Sequence, residues 1–169
     1  RNNLIYLYIQ QGIKQKNNNW FRRSENMART LQQKDEKNAR AIMNLGLVWY
    51  QQKKYELATR AFELAGKADP KFAEPHYYLA FSRLKLQQQE AAISSLKKAL
   101  KLNPNHSEAH NLMGVILLKQ PGKVKDSLVH LNKAIEVMPQ FKEAKLNLAI
   151  AWNALGQYQQ STDLLYKIL

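Results

Sequence analysis

Between Ala39 and Phe72 the apolar residues fall into two helical faces separated by a polar turn. In the first stretch Ile42, Leu45, Gly46 and Trp49 stand at i, i+3, i+4 and i+7, one side of an α-helix. Gln51-Gln52-Lys53-Lys54 interrupts the pattern and makes the turn. The second stretch places Tyr55, Ala58, Phe62 and Ala65 on its inner face. Asp69-Pro70 closes it, because proline offers no amide and disfavours helical geometry in the residue before it. Gly46 and Ala58 are small where two helix backbones must approach each other.

The unit recurs along the chain. Pro70 and Pro104 are 34 residues apart, and Pro139 follows 35 later. In register with them run Gly46, Ala80 and Gly114, then Ala58, Ala92 and Ser127, then Phe62, Leu96 and Leu131. A helix–turn–helix of this length cannot bury its apolar face alone and must stack on its neighbours. The pattern predicts one all-α repeat domain over 1–169, with units at 39–72, 73–106, 107–141 and 142–169. The third carries an extra residue in its Gln120-Pro121-Gly122 turn. A degenerate pair over 5–38 precedes them. There Ile5 falls one period before Ala39, Gly12 lands on the small-residue position, Asn17-Asn18-Asn19 on the turn and Leu31 on an inner position. Glu36 stands where a proline is expected, and Gln11 and Ala28 are weak core residues.

The spacing resembles the tetratricopeptide repeat, W-x2-L-G-x2-Y…A-x3-F…P. The second unit matches at Leu79, Ala80, Ala92, Leu96, Ala99 and Pro104, and the third at Met113, Gly114, Leu117, Leu131, Ala134 and Pro139. The fourth matches at Leu148, Ala149, Trp152, Gly156, Tyr158 and Leu165. The resemblance implies a right-handed superhelical solenoid in which the first helix of each pair lines a concave groove. In this family the second, fifth, sixth, ninth, twelfth and thirteenth residues of that helix look inward. The ninth is Ile13, Leu47, Phe81, Val115 and Ile150, apolar in every unit. Around it fall Met43, Tyr50, Tyr77, Tyr78, Leu84, Leu112, Leu118 and Leu146, with Asn44, Asn111 and Asn147 able to fix a ligand backbone.

A contiguous apolar strip on an open face marks an interaction surface, the alternative being that these residues only pack neighbouring repeats together. The expectation is a non-enzymatic scaffold that captures a helical or extended apolar segment of another protein, with rigid aromatics as anchors. Glu74, Glu108 and Glu143 would tint one edge acidic. Known subtypes of the family fit less well. Chaperone-binding members hold a terminal carboxylate with Lys, Asn and Arg, yet the corresponding places here carry Ile9, Ile13, Met43 or Tyr77, and only Asn44 survives. The asparagine ladder of glycosyltransferase-associated members fits at Asn44 and Asn147 but breaks at Tyr78 and Leu112. Outer-membrane pilotins and assembly factors of type IV pili and secretion use apolar grooves of this kind and share that general likeness.

Composition narrows the remaining classes. No apolar run in the 169 residues approaches the roughly 18 residues of a membrane span. The chain has no cysteine, which excludes disulfides and thiolate metal sites and leaves the compartment open. It starts at Arg1 without methionine and stops at Ile168-Leu169 inside an apolar pattern, so it is expected to be a fragment. The apolar end formed by Leu164, Leu165, Ile168 and Leu169 raises homo-oligomerisation as an alternative, because stacked repeats need a polar cap.

The formal charge is +13, densest toward the N-terminus. Arg22, Arg23, Lys53, Lys54, Lys97, Lys98, Lys101, Lys133 and Lys167 fall on turns or outer helices. They give a solvated face or, in the sharper reading, attraction to an acidic partner surface or anionic lipid. Nucleic acid is not expected, since these cations do not track a channel between aromatics. His106 and His110, with Glu108 between them, have metal-ligand spacing. By the repeat register, however, His106 is a linker residue, and His110 and His76 replace a packing tryptophan, each with one satisfied nitrogen. No catalytic set or phosphate loop is visible, and no cofactor is implied.

Overall fold

A computed structural model describes residues 2–35 and 37–166 of the chain. Arg1, Glu36, Lys167, Ile168 and Leu169, each of which enters an expectation above, lie outside the described residues. Among the described residues are ten α-helices and no strand. They form two compact units, residues 1–98 and 99–169. The first holds α1 (Asn2–Gln15), α2 (Asn18–Lys34), α3 (Ala39–Gln51), α4 (Tyr55–Ala68) and α5 (Glu74–Lys85), with most of α6 (Gln89–Leu102). The second holds the end of α6, then α7 (Ser107–Leu118), α8 (Val124–Val137), α9 (Lys142–Ala154) and α10 (Tyr158–Tyr166).

The turns inside the helix pairs share one backbone device. Lys16, Lys53, Gln87, Gly122 and Gly156 all take a left-handed conformation, with φ between 48° and 74°. Only the last two are glycine, the residue that adopts this region without steric cost. In the first turn the asparagine run is not all loop. Asn17 caps α2 by accepting the Asn19 amide at 2.9 Å, and Asn18 and Asn19 are already helical. Asn38 caps α3 in the same manner, through the Ala41 amide at 3.0 Å. Each cap satisfies an amide that the first turn leaves without a partner.

In the first unit α4 packs between α3 and α5, and α1 lies against both α2 and α3. Ile5, Ile9, Ile42, Leu45, Val48 and Phe62 are fully or almost fully buried in one cluster. Each such side chain contributes about 1.5–3 kcal/mol by leaving water. The small-residue positions have a defined purpose. A Cβ on Gly46 would come within 2.5 Å of the Phe62 ring, and one on Gly114 within 2.6 Å of Leu131. The degenerate pair solves the same problem differently. Ala28 holds the register of Phe62 and is fully buried, but it is too short to reach α1. The ring that covers Gly12 is that of Phe21, two turns earlier on α2.

In the second unit α8 packs between α7 and α9, and α9 packs on α10. Leu131, Leu148 and Ala151 are its buried centre, with Leu118, Val124, Trp152 and Leu164 packed around them. Ser161, buried at the position where other pairs carry a small residue, donates its hydroxyl to the Ala149 carbonyl at 2.9 Å. No described helix is long and apolar enough to cross a membrane.

Candidate protein-binding site

The expected groove residues separate by burial, and each unit presents its own set. In the first unit Met43, Asn44 and Leu47 are buried, at 9%, 3% and 8% exposure. Met43 and Leu47 join the cluster that holds Ile5 and Ile9 of α1, so hydrocarbon from the neighbouring helix already occupies the space a ligand would use. The Asn44 amide points to the Asn2 carbonyl at 3.5 Å. These three residues serve packing, which corrects their assignment to an open groove wall. Ile13 is exposed.

The rest of the first set is half-buried and aromatic. Tyr77 stands edge-on to Phe81 with centroids 5.1 Å apart, and Phe81 stands edge-on to Tyr50 at 6.4 Å. Tyr55, across the turn from Tyr50, extends this group at 5.4 Å. Its place beside Tyr50 was readable as two tyrosines flanking one turn, yet the periodicity alone assigns it to the inner face. Tyr78 contacts Tyr77 at 5.1 Å and stacks on the fully buried Phe62 at 5.8 Å, so it joins the surface aromatics to the core. Edge-to-face pairs of this kind hold rings in fixed orientations. Leu84 is half-buried one turn further along α5. Burial, and then the neighbouring Tyr55, push the Tyr50 phenol above its ordinary pKa, so it meets a ligand uncharged.

In the second unit Asn111 and Val115 on α7 are half-buried, Asn147 on α9 likewise, and Leu146 and Ile150 on α9 are exposed at 48% and 49%. Asn147 donates to the Asn111 side-chain oxygen at 2.9 Å. That bond fixes both amides and leaves the Asn111 amide hydrogens and the Asn147 oxygen as further donors and an acceptor. Leu112 is buried and Leu118 half-buried.

The histidines behave differently from the simple packing expectation. His76 is 5% exposed, and its buried Nε2 has no hydrogen-bond partner. His110 has partners on both nitrogens: Pro104 O lies 3.0 Å from Nε2, and His130 Nδ1 lies 3.0 Å from Nδ1. A carbonyl only accepts, so Nε2 of neutral His110 carries the proton and its Nδ1 accepts from His130 Nδ1–H. His106 caps α7 through the Ala109 amide and lies 3.1 Å from Glu108. Among the described residues no group of three or more His, Asp or Glu side chains is placed to hold a metal ion. The basic residues Arg22, Arg23, Lys53, Lys54, Lys97, Lys98 and Lys101 are exposed, and Lys133 is half-buried.

Helix pairs that pack on one another within each unit, with partly exposed side chains left on their first helices, define a repeat protein of the interaction class. Comparison with known proteins gives the class its family. Two models of the repeat match, one described as a tetratricopeptide repeat over residues 11–71 and one as a TPR repeat over residues 82–121. The chain belongs to the tetratricopeptide repeat family, and its fold is the all-α repeat fold of that family. It is 30% identical over 119 residues to a UDP-N-acetylglucosamine–peptide N-acetylglucosaminyltransferase of Giardia intestinalis, a match covering 69% of this chain and 8% of that protein. The chain spans less than a fifth of the length of the curated relatives it matches. Among solved structures it is similar to MamA, with a TM-score of 0.76 at 20% identity over 93% of this chain and 91% of that one. It is also similar to YrrB, a TPR protein with an unusual peptide-binding site, with a TM-score of 0.68 at 24% identity over 95% and 82%. Repeats of this family make protein–protein interaction scaffolds, and the chain is one.

Proposed function

We propose that this chain is a non-enzymatic adaptor whose first-helix side chains bind an apolar segment of a partner protein. The observation that carries the reading is the half-buried aromatic group of Tyr50, Tyr77 and Phe81 on α3 and α5, held edge-to-face and open to solvent on one side. Rigid rings lose little conformational freedom on binding, and such side chains supply most of the affinity at protein interfaces. Leu84 and Ile13 add hydrocarbon area in the first unit, and the second unit carries a set of its own in Val115, Leu146 and Ile150. Asn111 and Asn147 offer backbone-pairing groups to an extended or helical peptide. A peptide-binding site in one solved protein of the same fold agrees in kind with this reading.

The test is a photoreactive phenylalanine analogue at Tyr77, with the same group at exposed Leu64 on α4 as the control. Cross-linking from Tyr77 alone identifies a partner segment, which is then synthesised and titrated. Joint replacement of Tyr77 and Phe81 by Ala weakens that segment's binding by about 2 kcal/mol or more while helicity stays the same. Tyr78 is left in place because it supports Phe62. Equal capture from both positions, or unchanged affinity in the double variant, contradicts the proposal.

A further inference from the structure

On the other side of α5 lies an open cavity of about 390 Å³, lined by α4, α5 and α6 within the first unit. With helical residues advancing by about 100° each, His76, Leu79 and Arg83 face away from Tyr77, Phe81 and Leu84. The cavity is therefore separate from the aromatic group. Its charged and hydroxyl-bearing lining comprises Glu63 and Lys67 from α4, His76 and Arg83 from α5, and Ser94, Ser95 and Lys98 from α6.

The charges do not cancel. Arg83 is bound in place: it donates to Glu63 at 2.8 Å, to the Ala91 carbonyl at 3.0 Å and to Ser95 Oγ at 2.7 Å. That pairing uses the only carboxylate on the wall among the described residues and joins all three helices. Lys67 and Lys98 are exposed lining residues, and neither has a carboxylate within ion-pair distance among the described residues. His76 shares the lining with them, buried to more than nine-tenths, with an Nε2 that has no hydrogen-bond partner. Gly66 on α4 makes room for that ring, since a Cβ there would lie 2.7 Å from His76 Cε1. A buried polar atom without a partner costs free energy that packing alone does not explain. The excess positive charge surrounding it, beside a serine hydroxyl, suits a compact anion with several acceptor oxygens.

We propose that this cavity is a phosphate-group site, in which Lys67 and Lys98 close on a phosphoryl dianion, Ser94 donates its hydroxyl, and the fixed Arg83 supplies a positive floor beside the buried imidazole of His76. Inorganic phosphate and the phosphomonoester end of a small metabolite share this chemistry. A carboxylate has one acceptor oxygen fewer and half the charge, so it binds more weakly. Burial, and then the field of Lys98 and Arg83, hold His76 in its neutral form, and Lys67 and Glu63 are the other charged groups on the wall. A bound dianion reverses the sign of that field and raises the His76 pKa.

The experiment follows the four imidazole Cε1–H signals of the intact chain by NMR at constant ionic strength. Inorganic phosphate, glycerol 3-phosphate and acetate are titrated in separate arms. The expected result is a saturable shift of the His76 signal with phosphate or the monoester, a raised His76 pKa in its presence, and a response to acetate at least about tenfold weaker. Lys67→Gln with Lys98→Gln, both exposed and harmless to packing, weakens the response by about tenfold or more. Tighter binding of inorganic phosphate assigns the site to the free ion, and tighter binding of the monoester assigns it to a phosphorylated metabolite. Either result supports a phosphate-group site. A His76 response no larger than that of the other histidines, equal affinity for acetate, or an unchanged response in the double variant overturns it.

Discussion

Replacing Gly46 with Ala tests whether the core and the aromatic face are mechanically joined. The added methyl would lie 2.5 Å from Phe62 Cε1, 2.8 Å from Cδ1 and 3.0 Å from Cζ. Phe62 is fully buried and stacks on Tyr78, which in turn contacts Tyr77. The ring cannot retreat without moving both tyrosines. Alanine favours a helix interior over glycine by about 0.8–1 kcal/mol, whereas overpacking a well-filled core costs about 1–3 kcal/mol. The second effect wins, and the net expectation is destabilisation by about 1 kcal/mol. The chain itself suggests the remedy. In the next repeat the corresponding pair is Ala80 with Leu96, both fully buried. Phe62→Leu alone leaves a void, but Phe62→Leu in the Gly46→Ala background recreates the Ala80–Leu96 arrangement. Urea unfolding followed by circular dichroism gives the four stabilities of the cycle. A favourable coupling of about 1 kcal/mol is expected, well outside the ~0.3–0.5 kcal/mol scatter of independent sites. Additive effects, or a Gly46→Ala variant more stable than the parent, would refute the reasoning.

Two further outcomes follow from the turns and the histidines. Gln87→Gly relieves a left-handed residue at φ 60° and raises stability by up to about 1 kcal/mol, read as a higher urea midpoint with an unchanged slope; a lower midpoint contradicts it. His76, His110 and His130 all have folded pKa values held below their ordinary 6.5, chiefly by burial. Lys133 and His106 add to the depression at His110, which the Pro104 carbonyl and Glu136 oppose, while His110 adds to it at His130 and Asp126 opposes it. The unfolded chain therefore binds more protons in mild acid, so the stability these groups contribute is complete above pH 6.5 and is lost as pH falls through the folded values. The urea midpoint should drop between about pH 7.5 and about pH 5.5, and drop less in His110→Gln with His130→Gln. A midpoint equal at both pH values removes the prediction.

Helices and turns were readable because their causes are local or periodic. Proline ends, small contact residues and the 3.6-residue spacing recur unit after unit, and α3 through α10 follow them. The degenerate pair was legible in outline only. Ala28 occupies the right register but lacks the volume to reach Gly12, and no periodic rule says that Phe21 must turn in to cover it. The site was less legible than the fold for a related reason. Register states which face of α3 carries Met43, Asn44 and Leu47, but whether that face is open depends on what packs across it, and there the side chains of α1 fill the space. Phe81 at the same register stays half-open and becomes the centre of the aromatic group.

The polar cavity was invisible to periodicity because Glu63, His76, Arg83 and Lys98 lie on four unrelated repeat positions of three helices. His76 links the two kinds of position. It stands where the family places a tryptophan, and a tryptophan would fill the gap beside Gly66 with hydrocarbon and a single donor. An imidazole leaves a nitrogen buried without a partner, and burial, then Lys98 and Arg83, keep it neutral. Packing alone would favour the larger apolar ring at that point. The substitution makes physical sense where the position must respond to charge, which is why the response of this one side chain to added phosphate separates a structural histidine from a ligand-sensing one.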